Sequence, residues 1–316
     1  LTASVDAYYR KGSDLIALKM LPLETGFMST MVNWASMRNR GIEIALSSRN
    51  ISTPKFRWTT NFNIAYNENT VLQETVPFNQ TTPSREGYPV SALFAYRTAG
   101  LDSDGYPLFW LDGNKVTAKE FLKLNGAGAS TLTAEEQRER YSYIGSGEPL
   151  WTGGFINSFY YGNFDLTVNF AFNLKMYTRI QPSYSPVWFD RGMNTNRDIL
   201  DRWTPSNPDA TLPALMPEGY RSDERTQYGE FSLYSMLDSW VKRSDYVRLQ
   251  SLILGYNLPT SLLAHAGIST VRVAVEARNL FVFGANYKNF LDPETMGNPF
   301  AQPIPKSFTF NLQVKF

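Results

Sequence analysis

The last twelve residues limit the fold most. In Pro305–Phe316 the side chains of Phe308, Phe310, Leu312, Val314 and Phe316 fall on one side of an extended strand. Thr309, Asn311, Gln313 and Lys315 fall on the other. Unbroken alternation carried to a terminal Phe is what the closing strand of an outer-membrane β-barrel requires, apolar toward lipid and polar toward the lumen. A soluble sandwich strand can share that period, so the rest of the chain has to discriminate.

The same period returns along the sequence. Leu1 to about Lys11 sets Leu1, Ala3, Val5, Ala7 and Tyr9 against Asp6, Tyr8 and Arg10. A strand from about Ser36 to Asn50 follows, and a turn at Thr53-Pro54-Lys55 leads into Phe56–Asn67. Trp151–Tyr161 turns at Gly162-Asn163 into Phe164–Lys175, the cleanest alternation in the chain. Trp240–Leu258 loses phase near Gln250-Ser251, which predicts a bulge. Ser269–Phe281 precedes the final strand. This makes eight spanning strands.

Their connections alternate in length. Short turns lie near 51–55, 161–164 and 259–268; long loops are expected at 12–35, 68–148, 176–239 and 283–304. The second of these holds a helix expected at Ala134–Tyr143, with Thr133 and Glu136 at capping-box spacing. Short turns on one side and long loops on the other are the habit of outer-membrane barrels, and a sandwich has no reason to keep it. The fold class expected is all-β, a transmembrane antiparallel barrel segment.

Composition agrees. Aromatics make up 15% of the 316 residues while mean hydropathy is negative, as expected if half of each strand is polar and aromatic girdles mark the interfaces. No apolar run approaches the ~20 residues of a membrane helix. Thirty basic against 29 acidic residues leave no nucleic-acid footprint, and the lack of cysteine excludes disulfides, thiolate metal sites and cysteine nucleophiles. Because the chain opens inside an alternating segment, we expect it to be a piece of a longer polypeptide.

Several stretches resemble SusC/RagA-type TonB-dependent transporters, in the family's order and over essentially the whole chain. They are Ser36-Met37-Arg38-Asn39-Arg40-Gly41-Ile42-Glu43, Tyr143–Pro149 leading to Thr152–Phe155, and Phe164-Asp165-Leu166. Ser244–Gln250, Leu254–Pro259, Ala277–Phe281, Asp292-Pro293-Glu294 and the Pro305–Phe316 ending complete the set. The resemblance implies that residues 1–316 are the C-terminal third of the β-barrel, about the last eight strands of a wall of about 22. The plug domain and earlier strands are absent from this chain. It further implies active import of oligosaccharides or peptides across the outer membrane of a diderm bacterium, energised by the TonB complex and aided by a SusD-like surface lipoprotein, with no cofactor and no enzymatic step. The alternative is a stand-alone eight-stranded structural or adhesion barrel.

Candidate residues follow from these readings. Arg272, Glu276 and Arg278 share one strand face and are expected in the lumen, contacting substrate or plug, or paired with neighbours. Trp188, Phe189, Arg191, Arg197, Asp198 and Trp203 mix aromatics with both charges in a long loop. They could hold substrate or meet a lid, although Asp-Arg-Trp segments recur in the family whatever the cargo, which favours a structural role. Asp102 and Asp104, with Gly105, Asp112 and Asn114, weakly resemble a calcium loop but lack the third ligand and the distal Glu, so a polar turn is the better reading. His265 is the only histidine, which leaves it without a second metal ligand or a triad, and Ser146 has no partnered base.

Overall fold

A computed structural model describes residues 1–125, 129–181, 192, 197–215, 233, 235–263, 267–284, 292–298 and 300–316. In chain order the strands are β1 (Thr2–Met20), β2 (Ser29–Ser52), β3 (Phe56–Gln73), β4 (Ala92–Ala95), β5 (Thr98–Leu101), β6 (Pro107–Leu111), β7 (Asn114–Val116) and β8 (Ser142–Ser146). They continue with β9 (Trp151–Tyr161), β10 (Phe164–Leu174), β11 (Tyr177–Arg179), β12 (Val241–Arg243), β13 (Tyr246–Asn257), β14 (Thr270–Phe283) and β15 (Ser307–Lys315). Short helices are α1 (Ala118–Leu122), α2 (Ala134–Glu139) and α3 (Thr260–Leu263).

Eight of the strands form one antiparallel sheet in the order β1-β2-β3-β9-β10-β13-β14-β15, so each long strand lies beside the next. Register fixes the faces. Val5 pairs with Ile44 and Ile44 with Ile64; Phe159, Leu166, Leu254, Val275 and Phe310 run across five strands as another row. A one-residue slip would turn every such side chain to the other face. Val5 is 62% exposed, Leu254 51% and Phe310 80%, an apolar surface spread over the sheet that soluble monomers rarely present. The polar groups on this face satisfy one another. Trp58 Nε1 and Thr60 Oγ1 both donate to Asn157 Oδ1, at 3.0 and 2.6 Å.

The buried apolar core lies in the excursions above the sheet. Tyr96, Phe109, Phe121, Leu132, Ile180, Leu237, Trp240 and Met296 pack together, drawing on the β3–β9 and β10–β13 connections and on the β14–β15 connection. Phe109 and Phe121 stack with centroids 4.8 Å apart. Capping boxes start both helices there: Thr117 with Glu120, and Thr133 with Glu136.

Four sequence expectations need correction. The loop expected at 12–35 is a hairpin: β1 runs on to Met20 and β2 begins at Ser29, around a turn containing the 3-10 helix Leu23–Thr25. The pairing slips between Gly12 and Leu15, where Asp14 has a φ of 56°. Beyond that point Leu15, Ile16, Ala17 and Leu18 put apolar side chains on both faces, so the period-2 signal fades while the hydrogen-bonded ladder continues. β3 outruns its expected end for the same reason, reaching Gln73. The section expected to be irregular, 68–148, instead contains packed strands and helices. Its second helix stops at Glu139, before the expected Tyr143, and the chain passes into β8.

The turns at 53–55 and 162–163, the eight-strand count and the bulge at Gln250 stand as expected. Among the described residues β1 and β15 remain the two edges of an open sheet, and a stand-alone eight-stranded barrel would have to pair them.

Candidate functional site: the polar face and its packed excursions

The polar face is organised by ion pairs, one of which spans strands. From β14, Arg272 Nη2 donates to Asp165 Oδ2 on β10 at 2.6 Å, crossing β13 over Gly255. A β-carbon at Gly255 would lie 2.4 Å from Arg272 Nη2 and 2.5 Å from both Asp165 oxygens, so glycine opens the slot. Farther along β14, Arg278 Nε donates to Glu276 Oε1 at 2.6 Å. The expected trio therefore shares one face, with each arginine already paired and Arg278 more than half exposed.

At the other end of the face, Arg248 is 2% exposed. Its Nη2 donates to Asp292 and its Nε donates to Glu294 Oε1. Asn173 Nδ2 donates to the neighbouring Tyr246 hydroxyl at 3.0 Å. Asp245 accepts from Arg243 and from the Met176 backbone N–H, tying β10's end to β12 and β13. Sequence reading singled out Ser244–Gln250 and Asp292-Pro293-Glu294 without joining them. The usable signal is an arginine on the polar parity of a strand and two acids flanking a proline in the connection after the next strand.

The excursions enclose a cavity of about 500 Å³ lined by Thr98, Leu101, Asp201, Leu212, Trp240 and Lys242. Burial pushes the Lys242 ammonium below its ordinary range, partly offset by Asp238. Arg179 is likewise pushed down by burial, and it donates to the Phe94 and Ser235 carbonyls.

Of the loop candidates, Trp188, Phe189 and Arg191 lie outside the described residues, as does His265. Arg197 and Asp198 begin the 3-10 helix Arg197–Asp201. Trp203 lies against Gly105, where a β-carbon would meet its ring at 2.5 Å, and its backbone N–H donates to the Leu212 carbonyl. This indole holds the excursion together. Asp102 Oδ1 accepts the backbone N–H groups of Asp104 and Tyr106, at 2.9 and 2.8 Å, so it shapes the turn in which Gly105 takes a φ of 82°. Among the described residues no group of three or more His, Cys, Asp or Glu could hold a metal ion. Phe308, Phe310, Leu312 and Val314 lie on β15, followed by Phe316, all on the exposed apolar side at the sheet's edge.

Comparison with known proteins gives the frame. No protein-family model matches the chain. The TonB-dependent receptor P3 of Formosa agariphila is 29% identical over 346 residues, covering 100% of this chain and 32% of that receptor. The TonB-dependent receptor SusC of Bacteroides thetaiotaomicron is 23% identical over 333 residues, 99% of this chain and 30% of that protein. Among solved structures, the RagAB peptide transporter superposes with a TM-score of 0.72 at 25% identity, over 99% of this chain and 33% of the matched one. The chain thus spans about a third of the length of the relatives it matches. In its sheet, its motif order and these comparisons the chain is similar to SusC/RagA-type TonB-dependent transporters.

Proposed function

We propose that this chain forms the C-terminal part of the barrel wall of an outer-membrane importer for oligosaccharides or peptides, energised through TonB and working with a SusD-like lipoprotein. The carrying observation is the eight-strand meander with one apolar face, half-buried to exposed over most of its length. In this reading the apolar face meets lipid and the opposite face lines the lumen. The remaining strands and the plug come from the rest of the protein. Arg272, Glu276 and Arg278 sit in the solute path, and the excursions stand outside the cell, where their packed core carries the surface that meets cargo and lid. The chain performs no chemical step; its role is selective passage. RagAB is a peptide transporter, which places peptides among the cargoes to test.

The experiment is uptake of labelled peptide and oligosaccharide pools by cells carrying or lacking the full-length gene, with and without proton-motive force. Uptake that needs both the gene and the energised state supports the reading. Passage that persists after de-energisation would overturn it.

A further inference from the structure

The cavity of about 500 Å³ among the excursions has three walls, and each is pinned to a neighbour. β5 supplies Leu101, the segment after the 3-10 helix Arg197–Asp201 supplies Leu212, and the stretch entering β12 supplies Ser239, Trp240 and Lys242. Asp238 Oδ1 accepts the Thr98 backbone N–H at 3.0 Å, which fixes the third wall to β5. The Ala214 backbone N–H donates to the Gly105 carbonyl at 2.9 Å and the Trp203 ring lies on Gly105, which fixes the second wall to the turn between β5 and β6. The space is therefore preformed, and its size falls within the range of small-molecule sites, about 300–1,000 Å³.

Its chemistry is lopsided. Leu101, Leu212 and Trp240 give it an apolar body. On one side stands the Lys242 ammonium, whose neighbour Asp238 is shared: Oδ1 takes the Thr98 N–H and Oδ2 faces Arg97 at 3.4 Å. Ser239 Oγ is buried with no hydrogen-bond partner. A buried hydroxyl left unmet is costly, and serine has a single torsion by which to turn toward a new acceptor. Asp201, exposed to solvent, also lines the cavity. One ammonium beside a hydroxyl suits a monoanion. A phosphate dianion favours the fork of an arginine, and a sugar ring needs more acceptors than one carboxylate offers.

We propose that this cavity binds an apolar carboxylate, presented by the last residue of a short peptide. The side chain of that residue lies among Leu101, Leu212 and Trp240, and its carboxylate meets Lys242 and Ser239. Asp201 accepts a peptide N–H, a group that a free acid lacks. Arg272, Glu276 and Arg278 do not line the cavity, so the site is separate from the solute path proposed above. The site needs only the excursion core to fold as it does here, while the choice of a peptide as its ligand rests on the import reading.

The test uses the full-length transporter in mild detergent and isothermal titration calorimetry with three probes: an acetylated tripeptide ending in leucine, its C-terminal amide, and free isocaproate. The acid should bind about tenfold or more tighter than the amide, the worth of one charge-assisted contact. In Lys242→Met that ratio should fall to about one while the amide's own affinity holds, which shows that the variant is folded. Ser239→Ala, the milder change, should weaken the acid by about threefold, and no change there would overturn the site. Acid and amide binding equally to the wild type, a ratio that survives Lys242→Met, or no peptide binding at about 1 mM would also overturn it. Isocaproate binding as tightly as the peptide would keep the carboxylate site and overturn the peptide as its occupant. Uptake reports separately on the importer: a peptide that binds as expected yet enters de-energised cells equally well would overturn the import reading and leave this site standing.

Discussion

Arg272 reaches Asp165 across an intervening strand because residue 255 between them is glycine. The pair ties β10 to β14 independently of the backbone ladder, with Asp165 12% and Arg272 31% exposed at their side chains. In Gly255→Ala the new methyl displaces the ends of two flexible side chains, so the expected effect is loss of the pair with the sheet intact. The cost should be about 1–2 kcal/mol, a charge-assisted bond discounted for partial exposure. Equilibrium unfolding of the full-length barrel in a double-mutant cycle with Asp165→Asn checks this: the two effects must be clearly sub-additive. Full additivity would show that Gly255 serves something else.

Arg248 presents the opposite balance. It is buried between Asp292 and Glu294, so removing it leaves the buried Asp292 carboxylate, and the partly exposed Glu294, without their cation. Arg248→Ala should destabilise by about 3–5 kcal/mol. Arg248→Met with Asp292→Asn and Glu294→Gln should recover much of the loss, because no bare charge then remains. Unfolding midpoints of the three proteins decide the matter, and a triple variant no better than Arg248→Ala would refute it.

What was legible beforehand divides along the physics of the signal. Inside the apolar zone one face must be greasy and the other polar, so β9, β10 and their turn were placed to within a residue, and the Gln250 bulge showed as a break in phase. Where apolar residues fall on both parities that signal is lost, which is why the continuation of β1 from Gly12 to Met20, past its register shift, reads as loop. The core around Phe109, Phe121 and Trp240 was illegible because its members come from segments far apart in sequence and share no period. Arg272 was visible as a face charge, but its partner lies two strands away, a distance that only the register reveals.

The two faces of β15 should respond oppositely to the same substitution. Phe310 and Asn311 are neighbours on an exposed edge, on the apolar and polar sides respectively. Phe310→Arg should cost about 2–4 kcal/mol if that side meets hydrocarbon near the bilayer midplane, whereas Asn311→Arg should stay within about 0.5 kcal/mol. Unfolding of the full-length protein in lipid vesicles measures both. Equal costs would remove the lipid-facing assignment.

Lys242 gives the excursions a pH dependence of definite sign. Burial lowers its folded pKa below the unfolded value near about 10.4, with Asp238 opposing. Between those two values the unfolded chain holds the proton more tightly than the folded one, so stability rises with pH and is flat below the folded pKa. Lys242→Met keeps the stem's packing, removes the buried ammonium, and should abolish the slope. Hydrogen-exchange protection of the β11 and β12 amides, corrected for intrinsic base catalysis, reads this locally. The wild type should gain protection as pH climbs toward the ordinary lysine range, and the variant should not. A wild-type profile that falls with pH would mean that the attraction of Asp238 outweighs burial, reversing the sign.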